Sequence, residues 1–305
     1  MYGVIDIGSN TIRLSFYRLA GGKIDPMMNK KEVAGLASYI KKNNKMSQEG
    51  IAKLIHVLEE YKQIVGKVDI REMFVFATAS VRNVENEKEI LKKVKDETGI
   101  KIRVLSGEDE GRLGYLGAMQ CADIDDGLLV DIGGGSTELV FYKEKHVVAS
   151  SSMPIGSLNL FNRYIGDILP TRKEVKTIKD TVLEEISKIY QPDLRLCAES
   201  VCGIGGTART VCKIHNEMLH LPDTNMQFRS GFTRQVIKKL AENKKEMIHM
   251  ILNVAPERIH TIIPGTIILG AIARYFESET VAVSRYGVRE GYIYDILRSR
   301  GVMDG

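Results

Sequence analysis

The segment that most constrains this chain is Leu128-Leu129-Val130-Asp131-Ile132-Gly133-Gly134-Gly135-Ser136-Thr137-Glu138-Leu139-Val140. An apolar run ends at an aspartate, three glycines and two hydroxyl residues follow, and a second apolar run leaves through a glutamate. That order predicts a strand, a tight turn and an antiparallel return strand. A turn of backbone N–H groups without Cβ atoms lets a phosphate approach and accept several hydrogen bonds at once. Asp131, at the strand end, and Glu138, on the return strand, can flank that anion through a divalent cation, and Ser136 and Thr137 add hydroxyl donors. A glycine-rich hairpin with no ligand is the competing explanation. Against it, consecutive glycines lose backbone entropy and supply no packing.

The N-terminal stretch Tyr2–Leu19 repeats the design, with an apolar strand ending in Asp6-Ile7-Gly8, a small polar turn and a returning strand. Asp6-Ile7-Gly8 precedes Asp131-Ile132-Gly133 by 125 positions, and the strand end at Thr78 precedes its counterpart at Thr207 by 129. A single triplet recurs by chance. Two motif types in the same order at nearly one offset point instead to a duplicated β-β-β-α-β-α lobe, with a cleft between the copies. The polar stretch Asp123–Gly127 is the expected boundary, giving lobes 1–123 and 124–305.

Between the motifs, apolar spacing at Ile51, Leu54, Ile55, Leu58, Tyr61 and Val65 predicts a helix over 47–66, and Met73–Ala77 reads as a central parallel strand. Further helices are expected over 86–97, from Ser106 to about Cys121, and over 172–190, with strands at 101–105, 146–152 and 201–204. From Gly205 helices are expected to dominate to about Asn253. An apolar segment at 262–265 then leads into a helix ending near Phe276, followed by a strand over 280–284 and a closing helix over 287–299.

Composition narrows the class. The 305 residues are 44% hydrophobic and 27% charged, ordinary for a soluble globular protein, with no apolar run of the roughly 20 residues that span a bilayer. Met1 leads almost directly into a strand, so no signal peptide is expected. Cys121, Cys197, Cys202 and Cys212 show no CxxC spacing and read as reduced thiols of a cytoplasmic protein. A net charge of +4 is too mild for a duplex-DNA binder but favours an anionic small or oligomeric substrate. Neither a nucleic-acid nor a membrane partner is expected, and a homodimer is the expected assembly. The six histidines show no metal-ligand pairing and carry no assigned role.

Glu108, Asp109 and Glu110 open a helix, where acids complement the dipole, and Ser106 with Asp109 imitates a capping box. That accounts for Glu110 less well, and its carboxylate could instead orient and deprotonate a water attacking a phosphoryl group. Arg13, Arg82, Arg258 and Arg289 could each stabilise transferring phosphoryl oxygens or form surface salt bridges. Lys41, Lys42 and Lys45 make a basic patch that solvation explains.

Taken together, these blocks resemble the exopolyphosphatase/guanosine pentaphosphate phosphatase (Ppx/GppA) family of the actin-like ATPase superfamily, nearly end to end. They run from Asp6-Ile7-Gly8-Ser9-Asn10-Thr11 with Arg13, through Ala77–Arg82, Ser106–Arg112 and Asp131–Glu138. Gly203–Thr207, Arg258 with Pro264-Gly265, and Tyr286–Gly291 complete them. The resemblance implies an α/β fold of duplicated ribonuclease-H-like lobes with an interdomain cleft. It implies Glu110 as catalytic base, and Asp131 and Glu138 as holders of Mg²⁺ (or Mn²⁺, with a monovalent cation as a further option) that also position the water. It implies phosphate binding by Ser9, Asn10, Thr11, Arg13, Arg82, Gly134, Gly135 and Ser136, with Arg258 a further candidate. The expected activity is release of terminal orthophosphate from inorganic polyphosphate. The near alternative is 5′-phosphate hydrolysis of guanosine pentaphosphate. An ATP-dependent kinase of the same superfamily and a non-catalytic filament or scaffold ATPase are further readings, and the acidic block at Glu110 argues against both.

Two departures stand out. The family's Arg-Ala-Asp is here Arg258-Ile259-His260, and Gly111 stands where alanine is commoner, which should loosen the helix start. Long members carry a helical region with an HD-type domain that this chain, ending at Gly305, is expected to lack. A less enclosed substrate channel would follow.

Overall fold

In the computed structural model, which describes residues 1–121, 125–190 and 198–303, the chain divides into two compact units. The first comprises Met1–Glu110 with Tyr292–Gly305, the second Gly111–Gly291. The expected lobe boundary at 123/124, and Cys197, lie outside the described residues.

The first unit contains β1 (Tyr2–Ile7), β2 (Ile12–Ala20), β3 (Lys23–Glu32), a 3-10 turn at Leu36–Tyr39, α1 (Gln48–Val65), β4 (Glu72–Ala77), α2 (Ala79–Arg82), α3 (Glu87–Thr98) and β5 (Arg103–Val104). α4 (Gly107–Ala118) begins in it. The sheet order is β3-β2-β1-β4-β5, with β1 antiparallel to β2 and parallel to β4. β1 and β4 are central and covered on both faces, which is why Val4, Ile5, Ile7 and Phe74–Ala77 read as runs rather than alternations. α1 starts where the sequence expects it, at Ser47, whose Oγ accepts from the Gly50 N–H at 3.3 Å. Its buried stripe ends in Tyr61, whose hydroxyl donates to the Ile12 carbonyl at 2.9 Å and pins the helix to the first residue of β2. Burial pushes that phenol up to about 12. From the last segment of the chain, Tyr292 packs its ring against Phe74 and Phe76, with centroids 6.0 and 4.9 Å away. The Tyr294 hydroxyl accepts from the Ile24 N–H.

The second unit contains β6 (Gly127–Ile132), β7 (Thr137–Lys143), β8 (His146–Met153), α5 (Ser157–Tyr164), α6 (Arg172–Ile189), β9 (Ser200–Ile204) and α7 (Gly205–Leu219). β10 (Gln227–Arg229), α8 (Phe232–Glu242), α9 (Lys244–Val254), α10 (Ile262–Tyr275) and β11 (Thr280–Val283) follow, and α11 (Val288–Ser299) begins in it. Its sheet order is β10-β11-β9-β6-β7-β8. Without β10 and read from the other edge, β8-β7-β6-β9-β11 reproduces the order of the first sheet with the same strand directions. The copies agree in detail. The β2–β3 ladder slips register between Phe16 and Tyr17, and the β7–β8 ladder slips between Phe141 and Tyr142, 125 positions later. The α/β fold is thus a duplicated lobe, as the repeated motifs predict, of the ribonuclease-H-like, actin-like kind that the family resemblance implies.

Three local outcomes differ from the sequence reading. β10 interrupts the expected helical run, since three residues held only by pairing to β11 show no periodicity of their own. β5 is two residues rather than five. α10 begins at Ile262 with Pro264-Gly265 inside its first turn, where a missing proline N–H leaves no helical hydrogen bond unmade. Among the described residues no helix is long and apolar enough to cross a membrane.

Candidate active site

In the first unit the β1–β2 connection is a loop, Gly8–Thr11, closed by the Gly8 N–H donating to the Thr11 carbonyl at 3.0 Å. The Ser9 carbonyl accepts from the Ala37 N–H and the Asn10 carbonyl from the Gly35 N–H, at 3.0 and 2.9 Å. Neighbouring chain therefore occupies the carbonyl side of the loop. The N–H groups of Ser9, Asn10 and Thr11 meet no acceptor among the described residues. On the flanking strands Asp6 and Arg13 stand directly opposite each other.

The second unit builds the same loop from Gly133–Ser136. The Gly133 N–H donates to the Ser136 carbonyl at 2.9 Å. The start of α5 holds the carbonyl side: Ser157 donates to the Gly133 carbonyl through N–H and Oγ, Leu158 and Asn159 N–H donate to Gly134, and Asn159 Nδ2 donates to Gly135. The N–H groups of Gly134, Gly135 and Ser136 again meet no acceptor among the described residues. A Cβ on Gly156 would lie 2.5 Å from Gly134 C and Gly135 N, so only glycine lets α5 approach this closely. Each loop is thus a small nest, rigid on one side and presenting unaccepted N–H donors on the other.

Around the second loop, Asp131 and Glu138 stand opposite each other on β6 and β7. Glu138 is fully buried, and its Oε1 accepts from Ser152 Oγ on β8 at 2.8 Å. α7 leaves the end of β9 beside them, with Thr207 Oγ1 donating to the Ile132 carbonyl at 2.9 Å. Asp131 lies against Gly205 and the Arg258 guanidinium against Gly206, each occupying the space a Cβ would need. An acid and an arginine thereby flank the start of α7. Two opposed carboxylates with only hard oxygen donors suit Mg²⁺, which takes one or two protein carboxylates and fills its remaining positions with phosphate and water. Among the described residues no group of three or more His, Cys, Asp and Glu side chains could hold a metal alone, so phosphate and water would complete the shell.

Glu110 lies in the first turn of α4, whose start Ser106 caps by accepting the Asp109 N–H at 3.0 Å. Glu110 as a whole is 7% exposed, and Oε2 accepts from Arg82 NH1 at 2.8 Å. The same NH1 donates to the Leu105 carbonyl at 2.9 Å. Arg82 reaches this position because α2 leaves β4 directly at Thr78, whose N–H donates to the last carbonyl of β1. An acid and an arginine separated by 28 positions thus form one nearly buried pair.

Of the other candidates, Arg289 lies 4.0 Å from Glu290 at the start of α11. The departures have local explanations. His260 packs its ring, tilted by 50°, with its centroid 4.7 Å from that of Phe161, a side chain of the helix that braces the glycine loop. A Cβ on Gly111 would come within 2.9 Å of Ser150 Oγ, so the glycine sets how closely α4 approaches β8. Sequence reasoning missed Ser152, Gly156 and Asn159. The sequence does place a short helix after the loop Met153–Ser157, and the Gly156-Ser157-x-Asn159 spacing that starts it is a capping pattern, with Asn159 Oδ1 accepting the Gly156 N–H at 2.7 Å.

The chain is similar to known proteins along most of its length. A Mycobacterium tuberculosis protein named exopolyphosphatase 1 is 28% identical over 309 aligned residues, covering 97% of this chain and 88% of its own. A Photobacterium profundum protein named guanosine-5′-triphosphate,3′-diphosphate pyrophosphatase is 25% identical, covering 97% of this chain and 59% of its own. A solved Ppx/GppA protein from Aquifex aeolicus superposes with a TM-score of 0.80 at 27% identity, covering 98% of both chains. The model of the Ppx/GppA phosphatase family matches residues 16–300, and the chain belongs to that family.

Proposed function

We propose that this phosphatase is an exopolyphosphatase, cleaving the terminal phosphoanhydride bond of inorganic polyphosphate by attack of water on the last phosphorus. The observation that carries this reading is the pair of matched loops, 8–11 and 133–136, each with N–H groups that no acceptor among the described residues uses. Ser9, Asn10 and Thr11 in one, and Gly134, Gly135 and Ser136 in the other, serve as phosphate cradles, with Arg13, Arg82 and Arg258 as charged donors. Glu110 takes a proton from the attacking water, and the shortened polyphosphate leaves on the bridging oxygen, so no covalent intermediate is needed. Arg82, already bonded to Glu110, orients that carboxylate. Asp131 and Glu138 hold a divalent cation, Mg²⁺ foremost, which when bound neutralises charge on the phosphoryl oxygens. The duplicated lobes divided near 123/124, a cytoplasmic location and a homodimer belong to the same reading.

The second reading is 5′-phosphate hydrolysis of guanosine pentaphosphate, favoured by the pyrophosphatase name of the Photobacterium relative. The same groups would act on a different leaving group. Phosphate release from polyphosphates of defined length and from guanosine pentaphosphate, compared by kcat/KM, tests both. A preference for polyphosphate supports the first reading, and a preference for the nucleotide replaces it with the second.

A further inference from the structure

A groove of about 610 Å³ runs over the second unit between α6, α8 and α10. Its floor is apolar, formed by Val175 of α6, Ile237 and Ala241 of α8, and Ile267 and Ala271 of α10. Gly270 also lies in the floor. A Cβ there would sit 2.6 Å from Thr233 Oγ1, so this glycine keeps α8 and α10 close and the floor shallow.

The rim carries only one sign of charge. Arg172, Lys176 and Lys179 line the α6 wall at helical spacing, Arg234 and Lys238 line the α8 wall one turn apart, and Arg274 closes the α10 end. Among the described residues no carboxylate lines the groove. Lys238 lies 3.7 Å from Glu242. The side chains of Arg172, Lys176, Lys179, Arg234 and Arg274 form no ion pair or hydrogen bond among the described residues. Elsewhere on the same helices Lys188 of α6 bonds Glu184 and Glu185, and Lys239 of α8 bonds Glu246. A net charge of +4 over 305 residues does not account for this local excess.

We propose that the groove docks an acidic amphipathic helix of a partner protein, its apolar stripe on the floor and its flanking Asp or Glu side chains along both walls. The charge runs along the walls rather than gathering at one end, which suits an extended ligand acidic on both flanks. α8, one wall, has 11 residues, so an occupant of about three turns, roughly 16 Å, spans it. A bare polyanion would find the cations but gain nothing from the floor. A second copy of this chain would bring net positive charge to a positive groove.

The test uses the full chain and a fluorescein-labelled peptide of about 14 residues, with leucines every third or fourth position and glutamates on both flanks. A second peptide of the same composition has its leucines dispersed around the helix. Binding is read by anisotropy at about 0.1 M salt. The proposal expects the amphipathic peptide to bind at least about tenfold tighter than the dispersed one. K176E/R234E and Ala241→Arg should each weaken it by about tenfold or more, with phosphate release and thermal midpoint unchanged. Ala241→Arg is decisive because it fills the groove while adding positive charge. Tighter binding by that variant, or equal binding of both peptides, would make the rim a nonspecific anion patch and overturn the proposal. Displacement of the peptide by polyphosphate at its KM would overturn it in favour of substrate. A wild-type dimer dissociated by Ala241→Arg would overturn it in favour of a second copy.

Discussion

Replacing Glu110 with glutamine separates its chemical from its structural role. The Arg82–Glu110 pair spans 2.8 Å, with side chains 17% and 9% exposed. Glutamine keeps an oxygen for Arg82 NH1 but changes a charge-assisted hydrogen bond into a neutral one, a loss of about 1 kcal/mol. In a chain of this length that lowers the thermal midpoint by roughly 2–3 °C and leaves the protein folded at assay temperature. The loss of the base is far larger: general-base catalysis contributes about 10²- to 10⁴-fold, or roughly 3–5 kcal/mol of barrier. Glu110→Gln is therefore expected to lower kcat for polyphosphate at least about a hundredfold, with KM changed by less than about threefold. Arg82→Ala should behave differently. It strips a nearly buried carboxylate of its cation and the Leu105 carbonyl of a donor, so stability itself should fall by about 3 kcal/mol. The assay is steady-state phosphate release alongside calorimetric unfolding of the same preparations. A Glu110→Gln enzyme within about threefold of the native kcat would refute the assignment.

The other predictions address the loop, the cation and a buried phenol. Gly156→Ala puts a methyl against Gly134 and Gly135 backbone atoms, so it should cost about 1–3 kcal/mol and raise KM more than it lowers kcat, measured by unfolding and by saturation curves. Asp131→Asn should shift the Mg²⁺ concentration for half-maximal activity upward by about tenfold or more with little change in thermal midpoint, and superimposable Mg²⁺ titrations would count against the cation assignment. Tyr61, held up to about 12 by burial from an ordinary value near 10, contributes stability that is intact below pH 10 and lost as pH rises toward 12. Tyr61→Phe loses its hydrogen bond to Ile12, about 1 kcal/mol, but should flatten that alkaline decline in thermal scans between pH 9 and 11.5.

What the sequence disclosed followed from locality. The hairpins at Gly8 and Gly133, the stripe from Ile51 to Tyr61 and the strand at Met73–Ala77 are encoded by neighbours in the chain, and all formed where periodicity and turn chemistry placed them. What stayed hidden required distant partners. β10 exists because β11 offers a ladder. Ser152 reveals its link to Glu138 only when β8 pairs with β7, and Arg82 meets Glu110 only once β4 and β5 lie side by side. His260, an apparent departure in a turn, acquires its meaning from Phe161 on α5.

The duplicated hairpins also show how one scaffold can supply two chemistries. The offset of 125 holds from Tyr2 and Gly127 at the strand starts through the closing hydrogen bonds of both loops to the register slips at Phe16 and Phe141. Backbone geometry at the loops is therefore common to the copies, and so are the N–H groups left for an anion. The strand pairs beneath differ where it matters. Opposite the shared aspartate, the first copy places Arg13 and the second Glu138. An Asp–Arg pair is neutral and adds a donor beside its loop, whereas an Asp–Glu pair carries excess negative charge that a divalent cation can balance. Exchanging Arg13 for glutamate would give both hairpins the acidic arrangement, leaving one phosphate cradle without its cationic donor. If the reading of the loops is right, Arg13→Glu should weaken polyphosphate binding severely while leaving the β1–β2 register, and so the fold, intact by circular dichroism. Retention of native KM would show that the first loop does not hold substrate.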